Sequence, residues 1–361
     1  MTSNKSVIVV GAGIVGCAIA RELAVRGLAV TVFDDRPVGG GATRASAGML
    51  APHVEAHEPG PLLDLGVRSL ELYDDWVAAV RRESDVDVEY RRIGTLEVAL
   101  DPAHAAALRR QASHQTSTEW LEPAAARAAH PALGWIAGAL LARTHGYIAA
   151  PQLATALARA AERQRATFRR AAVQSLATAG SSVRVTTTEG EAHADTVVIA
   201  AGAWGGSIAG ARMPPLRPVR GQLLHLEWRG DPPSRILWGP RCYIVPRTDG
   251  TLLVGATVEE AGFDERTTAA GVRGLLSAAC ELLPGAKDAT FLEARAGLRP
   301  ATPDELPVLG SDPDTPNIVH ASGHYRNGVL LAPITAKLVG DLVVDGRSDP
   351  ALENFRVGRF L

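Results

Sequence analysis

The chain has 361 residues, which at about 150 residues per domain suits two domains or one large α/β domain with a substantial insertion. Hydrophobic residues make up 46% and charged residues 21%, with 36 Gly and 23 Pro, a balance that excludes disorder, collagen and coiled coil. Lys and Arg number 37 against 39 Asp and Glu, a formal net charge of −2, so there is no net electrostatic drive towards nucleic acid or an anionic membrane and neither is expected as a partner.

Val7 to Val10 is a continuous β-branched run, as expected of a strand buried on both faces in a parallel sheet. GAGIVG follows at once (Gly11 to Gly16), and Cys17 to Gly27 then has helical spacing at Ile19, Leu23 and Val25 and a glycine stop. AVTVFD, ending at Asp34, is a second strand, which completes a βαβ unit. The stretch Val7 to Ala20 is broken by Gly11, Gly13 and Gly16 and lacks a preceding basic region, so it predicts neither a spanning helix nor a signal peptide. Three cysteines (Cys17, Cys242, Cys280) without CxxC spacing predict neither a disulfide framework nor a zinc site, and a cytoplasmic location fits them best.

Gly39 to Pro52 is made almost wholly of small residues and predicts a loop in which backbone approaches something closely. Helices are expected over Leu62 to Arg82 and from Pro151, with Leu153, Leu157 and Ala161 on one stripe. TVVIAAGAWGG (Thr196 to Gly206) repeats the first strand-and-turn pattern and belongs beside the first strand. Alternating runs at Gly94–Leu100, Gln222–Trp228, Cys242–Arg247 and Thr251–Thr257 predict antiparallel strands with one exposed face. MPPLRPVRG and DPPS read as crossovers or turns, Asn317 to Gly323 as a third buried strand, and Val329 to Val344 as a helix. The fold class is therefore α/β: a Rossmann-like nucleotide-binding domain (1–84, 148–218 and 295–361) interleaved with an antiparallel-sheet α+β substrate domain (85–147 and 219–294).

GAGIVG between strand and helix turns backbone N–H groups and the positive helix end towards a pyrophosphate, and Asp34 ends the second strand where an acid accepts bonds from ribose hydroxyls. NAD and FAD share this fingerprint. The small-residue loop, Gly202 and the glycines from Gly323 to Gly328 favour FAD, the longer and more deeply buried of the two. No HExxH, paired His spacing or GxSxG occurs, so no metal site and no serine nucleophile are predicted.

GAGIVG, TRASAGML, TVVIAAGAW, CYIVPR followed by GAT, AGLRPATPDELPVLG and GHYRNGVLLAP together span nearly the whole chain. On these segments the sequence resembles the D-amino-acid-oxidase superfamily of flavoproteins, and within it the glycine-oxidase branch. The resemblance implies non-covalent FAD held through Gly11, Gly13, Ile14, Val15, Gly16, Asp34, Asp35, Thr43, Arg44, Ala47, Gly48, Met49, Val173 and Gly202. The flavin end would be held by His324, Tyr325, Arg326, Asn327, Gly328, Val329 and Leu330. Arg44 is a departure, a charged residue in a run usually built of small ones. Substrate contacts carried over by position are Tyr243, Arg299 and Arg326.

Independently of the resemblance, a planar guanidinium grips a carboxylate with two parallel charge-assisted hydrogen bonds, a fork that Lys cannot reproduce. Arg299, between Leu298 and Pro300, suits that role, with a surface arginine as the bland alternative. Tyr243 on its alternating run could equally pack in a strand. A helix starting at Val329 would bring N–H groups to the flavin edge, where negative charge develops on reduction. The implied reaction is oxidation of glycine or another small amino acid to the imine, by hydride transfer to flavin N5, with O2 reduced to H2O2. No histidine or carboxylate is placed by motif as a base. The resemblance further implies a homo-oligomer and a thiazole synthase that uses the imine in thiamine biosynthesis.

Overall fold

The computed structural model describes residues 5–56, 58–115 and 117–360. A six-stranded sheet has Ser6–Val10 near its centre, paired in parallel with Ala29–Asp34 on one side and Thr196–Ile199 on the other. Thr167–Arg170 extends the sheet beyond the second strand, and Ile318–Ser322 lies beyond Thr196–Ile199. The edge strand Val308–Ser311 runs antiparallel to its neighbour. The unbroken VIVV run has a direct cause: Val7 and Val9 pack into a core with the helices Ile14–Val25, Ala150–Arg163 and Ala332–Asp345. Ile8 and Val10 face the opposite core, with Leu176, Val183 and Val185 of a three-stranded antiparallel sheet. Each such fully buried side chain contributes about 1.5–3 kcal/mol.

The second large sheet has eight strands and is antiparallel except where Ile236–Trp238 lies parallel to Thr95–Ala99. The expected exposed face is not found. Thr95–Ala99 is buried at every position and Thr251–Gly255 at every position but its first, because both faces are covered. Leu96, Val98, Ile244, Leu252 and Val254 pack under the helix Ala269–Leu282, while Leu223, Ile236, Val245 and Leu253 pack with Ala47 and Tyr147 on the other side.

Two further expectations change. The MPPLRPVRG segment is not only a crossover, since the strand Arg217–Glu227 begins inside it with Pro218 opposite Pro300. Pro218 precedes the stretch from Leu223 that pairs on both sides, so its missing N–H interrupts no second ladder. The last long helix starts at Ala332 rather than Val329, after tight turns in which Leu331 N–H donates to Asn327 O (2.8 Å) and Ala332 N–H to Val329 O (3.1 Å). The strands Arg217–Glu227 and Thr290–Ala301 carry the chain across positions 218/219 and 294/295 and pair with each other, with a shift of register at His225/Leu226.

Candidate active site

A cavity of about 440 Å³ reaches from the C-terminal ends of the first two strands to the inner face of the eight-stranded sheet. Every predicted site residue lines it except Gly16, Arg44 and Leu330. Gly16 instead lets the helix close on its own turn, for a Cβ there would lie 1.9 Å from Gly11 O. Arg44 turns outward, half exposed and 3.8 Å from Glu265. Leu330 belongs to the core beside the helix Pro61–Ser84, and its carbonyl accepts a bond from Ser69 Oγ (2.6 Å).

At the nucleotide end the wall is backbone. Gly11 has φ +107° and a Cβ there would meet Ala200 O at 2.4 Å, so only glycine passes. The helix that follows has no side-chain cap on Gly13 and no acid in its first turn, which leaves its positive end without a countercharge of its own. Thr43 Oγ1 accepts from Ile14 N–H (3.1 Å), tying the small-residue loop to that turn. Asp34 accepts from Ala12 N–H (2.6 Å) and Arg36 N–H (2.8 Å), and burial, the largest influence, raises its pKa against those bonds. Each of its oxygens keeps a further lone pair for a ribose hydroxyl. The loop makes the expected close approach at Gly48, with φ +71° and a virtual Cβ 1.7 Å from Ile148 O. A cradle of glycines, an uncapped helix start and an acid at the second strand's end suit a dinucleotide of the length of FAD.

At the opposite end the wall is side chains. Arg299 lies on Thr290–Ala301 with Nη1 donating to Thr257 O (3.0 Å), and burial lowers its pKa. Tyr243 opens the strand Tyr243–Pro246, and burial raises its pKa. Its ring stacks on Trp238 at 5.5 Å, and the Arg326 guanidinium sits over Trp238 at 5.6 Å. Arg326 Nε also pairs with Glu55 Oε2 at 3.1 Å. Tyr325 takes φ +46°, the left-handed region, between Pro300, whose carbonyl its N–H reaches (3.0 Å), and Arg326. His324 is buried against Thr335 Oγ1 (3.1 Å), and burial pushes its pKa down to about 4, so it stays neutral.

Several lining residues escaped the sequence reading: Glu55, Trp204, Trp238, Gly221 and Gly255. Glu55 belongs to no motif that the sequence offered, and it stands at the Arg299 end of the cavity. The two glycines carry a readable signal, an isolated Gly inside a strand, which marks a close approach. A Cβ at Gly221 would lie 2.3 Å from Arg299 Nη2, and one at Gly255 2.3 Å from the Tyr243 hydroxyl. These strand positions are empty so that the two polar side chains can lie across them. Among the described residues no group of three or more His, Cys, Asp or Glu could hold a metal ion, and no helix is long and apolar enough to cross a membrane.

Comparison with known proteins agrees with this geometry. The bifunctional protein ThiO/ThiG of Synechocystis sp. is 36% identical over all of this chain, which covers 55% of that protein. The chain thus spans about half the length of the first curated relatives it matches. Glycine oxidase of Bacillus licheniformis is 34% identical, with 95% of this chain and 94% of that one aligned. The crystal structure of glycine oxidase from Geobacillus kaustophilus superposes with a TM-score of 0.94 at 34% identity, covering 99% of this chain and all of that one. The profile of the FAD dependent oxidoreductase family, DAO, matches residues 6–342, and the chain belongs to that family.

Proposed function

We propose that the protein oxidises a small amino acid, glycine foremost, to its imine, with FAD as cofactor and O2 reduced to H2O2. The observation that carries this reading is the buried Arg299 fork beside Tyr243, with Gly221 and Gly255 kept bare to admit both side chains. In this reading Arg299 binds the substrate carboxylate through two charge-assisted hydrogen bonds and the Tyr243 hydroxyl donates a third. Arg326 and Trp238 close the outer side of the substrate. The backbone at Gly11, Gly13, Gly48 and Gly202 and the Asp34 carboxylate hold the dinucleotide, with Ile14, Val15, Asp35, Thr43, Ala47, Met49 and Val173 beside them. The turn from His324 to Val329 holds the flavin end, and neutral His324 keeps a positive charge from being buried there. Bound FAD supplies the acceptor for the hydride of the substrate's α-carbon, while the protein's main contribution is position.

The cofactor is held without a covalent link in this account: Cys242, the cysteine on the cavity wall, packs into the substrate-sheet core with Ile244 and Val254. Acid precipitation should release all flavin into the supernatant; colour left in the pellet contradicts it. The imine hydrolyses to glyoxylate and ammonia or passes to a thiazole synthase, consistent with relatives named ThiO/ThiG. A cytoplasmic homo-oligomer completes the proposal. The test is oxygen consumption with glycine, read together with peroxide and glyoxylate. Glycine-dependent reduction of an artificial dye without oxygen uptake would instead mark a dehydrogenase.

A further inference from the structure

We infer that Glu55 sets the charge of the substrate site and restricts it to substrates with a single carboxylate. The inference rests on the reading of the Arg299 end as the carboxylate site. Three arginines line that end of the cavity. Arg241 pairs outward with Glu281 (3.2 Å), and Arg326 pairs with Glu55 (3.1 Å). Arg299 makes its hydrogen bond to a main-chain carbonyl, Thr257 O, and among the described residues forms no ion pair within 4.0 Å. Among the described residues, two guanidiniums facing the cavity at this end, Arg299 and Arg326, and one carboxylate, Glu55, leave one net positive charge, the complement of one substrate carboxylate.

Charge discrimination requires that the selecting charge be fixed, and Glu55 is. It ends the short helix Pro52–Glu55, whose His53 is buried with Nδ1 2.9 Å from His145 Nε2 and Nε2 2.7 Å from Ser117 Oγ. The main-chain carbonyl of His53 accepts from Gln111 Nε2 (2.8 Å). The side chain of Glu55 is itself only 11% exposed. A ligand with a second carboxylate would meet this anchored negative charge where it would otherwise find Arg326. Selection of this kind works by repelling the wrong ligand as much as by holding the right one.

The test uses the FAD-loaded enzyme and two non-reacting probes, glycolate and malonate, with binding read from the perturbation of the flavin absorbance at constant ionic strength. Wild type should prefer glycolate. Glu55→Gln should move the ratio of the two Kd values about ten-fold towards malonate, the size of one lost charge-assisted contact. The gain should vanish in Glu55→Gln/Arg326→Gln, because the freed guanidinium is what receives the second carboxylate. An unchanged ratio in Glu55→Gln, or a gain that survives removal of Arg326, overturns the inference. Arg326→Gln alone gives a second reading should Glu55→Gln fail to hold flavin: it should weaken malonate more than glycolate, and equal weakening overturns the inference too. Wild-type enzyme that binds neither probe refutes the carboxylate site itself, an outcome distinct from either variant result.

Discussion

At the Asp34 end of the cavity the wall is backbone, whereas at the Arg299 end it is long side chains. The first end is encoded mainly by one contiguous run, Val7 to Asp34, joined by the small-residue loop, and tolerates no added atom at Gly11 or, in that loop, Gly48, where backbone oxygens stand 2.4 and 1.7 Å from a virtual Cβ. The second is assembled from Glu55, Trp238, Tyr243, Arg299 and Arg326, and the atoms crowding Gly221 and Gly255 are the far ends of side chains. A site for a cofactor common to many enzymes is built rigidly from main chain. The end proposed to choose the substrate is built from parts that single substitutions can retune.

The largest effect should come from breaking the backbone end. Gly48→Ala forces a left-handed conformation worth about 1–2 kcal/mol and drives a methyl into the Ile148 carbonyl. Flavin content and thermal unfolding should both collapse; a variant with full flavin and a wild-type Tm would show that the loop yields, contrary to this picture.

Acid probes the turn that joins the two ends. His324 has a folded pKa of about 4 against an ordinary value of 6.5, so between these values the unfolded chain binds more protons than the native protein. Stability is therefore intact above pH 6.5 and declines as pH falls towards 4, by up to about 3 kcal/mol from this residue. Burial lowers His53, His130, His145 and His320 in the same direction. His324→Gln should flatten the fall in Tm between pH 7 and pH 5, and an identical slope would place the acid sensitivity elsewhere.

Side-chain changes at the substrate end should leave flavin content alone. Arg299→Lys retains charge but loses the fork, a cost of about 1.5–3 kcal/mol or roughly ten- to a hundred-fold in glycolate binding. Unchanged glycolate affinity would remove Arg299 from the site. Smallest should be Gly255→Ala, whose methyl overlaps the hydroxyl end of the Tyr243 ring: about 1 kcal/mol, roughly five-fold in glycolate affinity, with the fold kept and only a small loss of Tm. A lost fold rather than lost affinity would mean that the second end is as rigid as the first.

The same contrast explains what could be read in advance. GAGIVG, Asp34 and the helix stop near Gly27 follow local rules of strand, turn and cap, and the structure keeps all three. Tyr243 is not placed by its sequence pattern, because alternation fixes two faces but not which one is inward. That choice is made by the helix Ala269–Leu282, which claims Ile244 for the opposite face. Glu55 and Trp238 carry no motif; they reach the cavity only because His53 is anchored to His145 and because Ile236–Trp238 pairs with Tyr243–Pro246. The late start of the last helix is also tertiary, since the Val329 and Leu330 carbonyls are taken by Tyr73 and Ser69 of the helix Pro61–Ser84.

The central claim is that one cavity holds FAD at its backbone end and an amino acid's carboxylate at its side-chain end. Anaerobic mixing of the purified yellow protein with glycine, while the flavin absorbance is followed, tests it most directly. The account predicts full bleaching, with the glycine concentration for half-maximal bleaching raised in Arg299→Lys. A flavin that stays oxidised with glycine, sarcosine and D-alanine alike would contradict it.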